Sequence, residues 1–378
     1  MNREEYIKAA REQFETLLRE QLKRADRMKS GTEKRPEGEA VVIGLIDGDG
    51  IGPLIMKEAV SVLETLLKEE LEEGKAVLKK IEGLTIENRR ALGVSVPYDV
   101  LKEIKSCDVL LKGPTETPKG GTLESANVTL RRELDLYANV RPVYVPELGI
   151  DWTFFRENTE GEYVLGSRGI EIPGCLAMDF KVTTDAGTGR IARTAFDFAK
   201  NNGKDRVAIV TKANIMKKTD GKFSEICRRV SAEYPEIKAE DWYVDIMSAN
   251  LVNENIRSGF QVFVLPNLYG DIITDEAAEI QGGVGTAGSA NIGDRYAMFE
   301  AIHGTAPRMI EDGLQDYVNP LSILKAAEML LRHIGYSDKA ERLKASLDKA
   351  QSPEAPKVTG FRDGAETKEL MKFIYSVL

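Results

Sequence analysis

The chain has 378 residues, 42% hydrophobic and 30% charged, the balance of a soluble globular protein with length for two domains and full cores. Its formal net charge of −9 argues against nucleic acid as a main partner. No apolar run approaches the ~18 residues of a membrane span, and the charged N-terminus reads as neither a signal nor a transit peptide, so the expected location is the cytoplasm.

Residues 1–30 show helical spacing, with Tyr6, Phe14, Leu17, Leu18 and Leu22 set among charges, and 30–39 reads as a linker. The helix is either an appendage packed on the body or a neighbour, or an oligomerisation or regulatory arm. Strand and helix patterns then alternate. VVIGLI (41–46) is a buried strand and 53–71 a helix with Pro53 near its start. A strand is expected at 77–82, a helix at 98–107, a strand at 108–113 and a helix at 125–138. Residues 163–191, rich in glycine and β-formers, read as a hairpin-like excursion exchanged between subunits. Alternation resumes with a helix at 192–202, a strand at 206–211 and a helix around 215–232. A strand at 239–245, a helix around 246–257 and a strand at 261–266 follow. Residues 282–293 read as a long glycine-rich loop, and helices follow near 320–335, 338–350 and 365–377. The alternation predicts an α/β fold with a largely parallel sheet.

Two motifs mislead. IDGDGIGP (46–53) joins a strand to a helix, but its glycines are spaced G-x-G-x-G, not the G-x-G-x-x-G of a dinucleotide fingerprint. It also mimics a calcium loop through Asp47, Asp49, Gly52 and Glu58, yet Ile51 stands where a ligand belongs and a strand leads in. A tight strand-to-helix turn is the simpler reading.

Cys107, Cys175 and Cys227 are too few and too scattered for a disulfide framework or zinc site, and fit a reducing cytosol. With only His303 and His333, acid–base work falls to tyrosine, lysine or carboxylates. Arg131, Arg141 and Arg156 lie in or beside apolar segments, and Ser125 and Asn127 add neutral hydrogen-bonding groups before the first of them. Each arginine alone reads as a structural ion pair; together they suggest a pocket for a compact polycarboxylate. Asp271 and Asp275, spaced i, i+4, share one helix face, which suits either a helix dipole or Mg²⁺ or Mn²⁺. Lys212 ends an apolar strand, where α/β active sites collect.

The ordered segments GDGIGP (48–53), KGPTETPKGG (112–121), SxNxxLRxxLDLYANVRP (125–142), FRENTEGEY (155–163), KANIMKxTDGxF (212–223), NLYGDIITD (267–275), GGVGTAGSANIG (282–293), HGTAP (303–307) and VNP (318–320) resemble the isocitrate/isopropylmalate dehydrogenase family of β-decarboxylating dehydrogenases. The resemblance implies a large α/β domain on the cofactor side from residues 39–136 and 282–378. It implies a smaller α/β domain over 137–281, with an intersubunit clasp at 161–186, and leaves 1–38 as an N-terminal helical extension. It assigns Arg131, Arg141 and Arg156, with Ser125 and Asn127, to the substrate carboxylates. Metal ligation falls to Asp271 and Asp275 with Asp245 of a neighbouring subunit, and catalysis to Lys212, also from the neighbour, and Tyr163. The cofactor contacts implied are Thr117, His303, Gly304, Thr305, Ala306, Arg308 and Asn319, with Arg362 a further candidate for a phosphate.

Ser125 and Asn127 resemble the isocitrate pattern, because polar groups can receive a third carboxylate where isopropylmalate enzymes place an apolar residue. Homoisocitrate and tartrate stay open. Arg308 suits the phosphate of NADP, while Glu311 and Asp312 keep NAD in play. The expected protein is an NADP-dependent isocitrate dehydrogenase needing Mg²⁺ or Mn²⁺, a homodimer or larger, with no membrane partner. A non-catalytic regulatory subunit and an acyl- or phosphotransferase on a related scaffold are the readings set against it.

Overall fold

The structure is a computed structural model that describes residues 3–28, 40–118, 123–166 and 168–378. The expected linker at 30–39 and part of KGPTETPKGG lie outside the described residues. In chain order the elements begin α1 (Arg3–Met28), β1 (Val41–Ile46), α2 (Gly52–Leu66), α3 (Lys68–Glu72), β2 (Ala76–Lys80), α4 (Ile86–Leu92) and α5 (Tyr98–Lys105). Next come β3 (Val109–Lys112), α6 (Ala126–Glu133), β4 (Ala138–Val145), β5 (Ile150–Glu157), β6 (Ile170–Ile172), β7 (Leu176–Met178) and α7 (Asp185–Asn201). Then follow β8 (Arg206–Thr211), α8 (Thr219–Ser231), β9 (Lys238–Tyr243), α9 (Val244–Leu251), β10 (Val262–Leu265) and α10 (Asn267–Ile280). The chain ends with β11 (Gly288–Ile292), β12 (Ala297–Ala301), α11 (Pro307–Glu311), α12 (Leu321–His333), α13 (Ser337–Ala350) and α14 (Thr367–Val377). No helix among the described residues is long and apolar enough to cross a membrane.

The chain divides into two compact units, one of residues 1–33 and 146–274, the other of 34–145 and 275–378. The sequence reading sets these boundaries at 136/137 and 281/282. In the larger unit the strands run β2–β1–β3–β12–β11–β4, parallel except where β11 lies antiparallel between β12 and β4. The apolar face of α2 (Ile55, Met56, Ala59, Val62, Leu63) and that of α12 (Ile323, Leu324, Ala327, Leu330) share one core with β1 and β12. In the smaller unit β5–β10–β8–β9 are all parallel, and β6 and β7 form an antiparallel hairpin. Trp152 and Phe154 of β5 and Phe263 of β10 fill its centre, with the Phe154 and Phe263 rings stacked at 4.2 Å.

Three expectations change. Residues 282–293 are not loop throughout: Gly288–Ile292 is β11, an inner strand whose small side chains let α12 approach closely. A β-carbon on Gly288 would stand 2.7 Å from the Ala326 nitrogen. The helix expected from 192 begins at Asp185, capped by the Thr184 hydroxyl, which accepts from the Gly187 N–H at 3.0 Å. The helix expected over 125–138 stops at Glu133, and Ala138 opens β4.

The turn after β1 explains both misleading motifs. Gly48 and Gly50 adopt φ of +75° and +58° and bring the backbone against Pro114 and Thr305. Asp49 is buried and satisfied: its two oxygens accept from the Ile86 and Glu116 N–H groups at 2.8 and 2.7 Å. Asp47 pairs with Lys80 at 3.2 Å. These carboxylates hold loops together.

Candidate active site

In the larger unit, Ser125 is the N-cap of α6, and its hydroxyl makes no capping bond to the helix. Asn127 Oδ1 accepts from the Thr115 hydroxyl at 2.9 Å, and its amide nitrogen remains a donor. Arg131, one turn on, is almost buried and donates to Glu300 Oε1 at 3.1 Å, while its Nε has no hydrogen-bond partner among the described residues. The other Glu300 oxygen lies 3.1 Å from Lys112 Nζ, and Asn291 donates to Oε1 at 2.8 Å. Burial would raise the Glu300 carboxyl, but the Lys112 and Arg131 charges outweigh it and hold the group at about 2. Burial pulls Lys112 below its ordinary range despite Glu300.

Lys112 and Glu300 were not singled out from sequence. The available signal was one charged residue in each otherwise apolar strand, VLLK and AMFEA. Arg89 was missed too: fully buried, it donates to the carbonyls of Ser95 (2.7 Å), Glu116 (2.8 Å) and Glu124 (3.2 Å), and so holds both flanks of the loop that carries Thr117. Thr117 itself is exposed. Arg141 on β4 is buried and pairs with Asp275 at 2.9 Å.

The nucleotide residues gather in the same unit. The backbone of Gly50 abuts Thr305, and the Ile51 N–H donates to the Thr305 carbonyl at 3.0 Å. Ala306 takes a left-handed φ of +42° just before α11, which begins at Pro307. The His303 ring, its pKa lowered by burial, sets Nδ1 3.0 Å from the Gly304 carbonyl, and its buried Nε2 has no partner among the described residues. Arg308 is exposed on α11. Arg362 Nη2 lies 3.6 Å from where a β-carbon on Gly313 would stand, so the C-terminal segment meets the loop after Arg308. Asn319 Oδ1 accepts from the Leu321 N–H at 3.0 Å. An orphaned ring nitrogen, a close-approach glycine turn and two arginines are groups that a phosphorylated dinucleotide can satisfy.

In the smaller unit, Arg156 at the end of β5 is 1% exposed, and Asn267 Oδ1 accepts from its Nε and Nη2 at 3.0 and 2.7 Å. Arg156 also holds Asp271 through Nη1, and the other Asp271 oxygen accepts from the Tyr163 hydroxyl at 2.6 Å. Its guanidinium carbon lies 5.3 Å from the Tyr163 ring centre. Lys212, just past β8, pairs with Asp245 in the first turn of α9 at 2.6 Å, and that hydrogen bond holds the Asp245 carboxyl below its usual range.

Asp271 and Asp275 stand one turn apart along α10, as the i, i+4 spacing predicts. Two hard carboxylates suit a Mg²⁺-sized cation that keeps water and substrate oxygens. Among the described residues no group of three His, Cys, Asp or Glu side chains gathers to hold a metal ion.

A family described as isocitrate/isopropylmalate dehydrogenase matches residues 42–372. A probable NAD isocitrate dehydrogenase subunit alpha, mitochondrial, of Caenorhabditis elegans is 35% identical, over 88% of this chain and 90% of that protein. An NADP isocitrate dehydrogenase of Rickettsia felis is 38% identical over 82% of this chain, which spans 63% of that longer protein. The crystal structure of an isocitrate dehydrogenase from Methylococcus capsulatus superposes with a TM-score of 0.80 at 34% identity, over 89% of this chain and 98% of that one.

Proposed function

The chain belongs to the isocitrate/isopropylmalate dehydrogenase family, and from that membership we propose that it converts isocitrate and NADP⁺ to 2-oxoglutarate, CO₂ and NADPH. The observation that carries the substrate choice is the head of α6. The Ser125 hydroxyl is not engaged in capping, and Asn127, its Oδ1 held by the Thr115 hydroxyl, keeps its amide nitrogen as a donor, just before the buried Arg131. Polar groups there suit a third carboxylate and would leave an isopropyl group against unsatisfied donors.

In this reading Arg131, Arg141 and Arg156 grip the substrate carboxylates with forked hydrogen bonds. Lys212 takes the hydroxyl proton as hydride leaves the same carbon. The β-carboxylate then departs as CO₂, and Tyr163 returns a proton to carbon. A divalent cation at Asp271 and Asp275 would supply Lewis-acid stabilisation of charge developing on oxygen, and the nicotinamide would accept the hydride. Lys212 and Asp245 pair with each other, which suits their delivery as a set to the site of a second copy. We therefore take the active form to be a homodimer or larger. Arg308, with Arg362 beside the loop that follows it, favours the 2′-phosphate of NADP, whereas Glu311 and Asp312 in that loop favour NAD. All three cysteines are free, which suits a reducing compartment such as the cytoplasm.

The test follows nicotinamide absorbance with Mg²⁺ and isocitrate, offering NADP and NAD in parallel. Reduction of NADP far above NAD is expected. Preference for NAD overturns the cofactor assignment, and turnover of isopropylmalate, homoisocitrate or tartrate alone overturns the substrate.

A further inference from the structure

Helix α1 lies outside the residues that match the family, yet it grips the segment carrying Tyr163 on both sides of that tyrosine. Before it, Arg24 donates through Nη2 to Glu160 Oε1 at 2.8 Å and through Nη1 to the Thr159 carbonyl at 3.2 Å. After it, Leu17, the buried side chain of α1, packs with Val164 and Leu165, with Phe180 and Val182 at the cluster's edge. Gln13 extends the seam to the carbonyls of Arg168 and Gly169 at 3.0 and 2.9 Å, and Glu20 pairs with Arg168 at 2.5 Å.

The Arg24 contact continues inward. The Glu160 carboxylate accepts from the Thr184 N–H at 2.9 Å and from the Thr184 hydroxyl, the cap of α7. The Glu160 carbonyl accepts from Asn267 Nδ2 at 3.0 Å. Asn267 in turn fixes Arg156, Arg156 holds Asp271, and Asp271 accepts from Tyr163. An unbroken hydrogen-bonded path joins α1 to the Tyr163 hydroxyl.

We propose that α1 is a positioning element for the active site, with Arg24 acting through Glu160 and Asn267, and Leu17 acting through Val164 and Leu165, to fix where Tyr163 stands. The assignment of Tyr163 rests on the proposed function; the mechanical coupling does not. The electrostatics give Arg24 its weight. Glu160 is 3% exposed and faces Glu157 of β5, while Arg24 of α1 is the cation paired with it and Arg190 of α7 reaches the neighbouring Thr159 hydroxyl at 3.2 Å. Burial and Glu157 push the Glu160 carboxyl up to about 7 even with Arg24 opposing them. Without Arg24 the Glu160 carboxylate loses the cation paired with it while Glu157 stays beside it. It must then shift toward water or take up a proton, and either change disturbs the turn leading into Tyr163.

The test compares Arg24→Ala, Arg24→Lys and Leu17→Ala in the full chain. It uses isocitrate turnover and amide hydrogen exchange of peptides spanning residues 158–166. Arg24→Ala should lower kcat at least tenfold with KM moved less than threefold, and raise exchange across 158–166. Leu17→Ala should do the same more weakly, and Arg24→Lys should recover most of both effects. Wild-type kcat with unchanged protection in Arg24→Ala would overturn the proposal. So would exchange raised evenly along the chain, the mark of plain destabilisation. If the unaltered protein fails to turn over isocitrate, the functional reading fails, and the exchange arm alone still decides for or against the coupling.

Discussion

Glu300→Gln removes a carboxylate shared by Lys112 and Arg131. Each cation sits 3.1 Å from it, and the Lys112 and Glu300 side chains are 0% and 6% exposed. Arg131 is a permanent cation on this carboxylate, so Glu300 is ionised at neutral pH whatever the state of Lys112. A carboxyl displaced from 4.5 to about 2 represents roughly 3 kcal/mol at ~1.36 kcal/mol per unit. That agrees with the ~3–5 kcal/mol lost when a buried pair is broken on one side. For a unit of this size, at ~2–4 °C per kcal/mol, Tm should fall by about 10 °C. The pH dependence has a definite sign. The folded pKa is depressed, so the stabilisation is fully present above about 4.5 and lost as pH falls toward about 2. Urea unfolding of wild type and variant should therefore show a full gap at neutral pH that closes in acid. A variant within ~1 kcal/mol of wild type at neutral pH, or a gap constant with pH, would refute the argument.

Three further outcomes are expected. Ser125→Ala should leave stability within about 0.5 kcal/mol, since no cap is lost, while raising KM for isocitrate; a drop in Tm would give the hydroxyl a structural duty instead. Gly50→Ala places a β-carbon 2.1 Å from the Thr305 carbonyl oxygen at φ +58°, so thermal melting should show a loss of at least about 1–3 kcal/mol, and dinucleotide binding should weaken. Tyr163→Phe and Lys212→Met should each cut kcat by roughly 10²–10⁴ while calorimetry still detects binding of isocitrate with Mg²⁺; near-wild-type turnover in both would remove their roles.

The alternation was legible because β1, β8 and β10 are short apolar runs and α2 opens on Pro53. Strand β11 was not, because GSANI has poor strand propensity, and pairing on both sides overrides it. The first turn of α7 was hidden by Gly187 and Gly189. Gly187 is required there, since a β-carbon would stand 2.4 Å from the Glu160 carboxylate. The three arginines could be picked out because a guanidinium among apolar residues needs a partner, and all three are buried and paired. What those partners are could not be read. Lys112 meets Glu300, and Arg24 meets Glu160, across more than a hundred residues of chain. That α1 packs on the body was one of the two readings of residues 1–30, but which residues it meets was hidden for the same reason.

The aromatic centre built around Trp152 has a practical consequence. The chain has two tryptophans, and the second, Trp242 on β9, stands edge-on to Phe260 at 5.5 Å in the same unit. Tryptophan emission, excited at the red edge where tyrosine does not absorb, is thus a private signal of residues 1–33 and 146–274, and the tyrosines of the other unit stay silent. Far-ultraviolet dichroism sees both. Melting followed by the two signals together separates a molecule that comes apart in one step from one that comes apart in two, with no label attached.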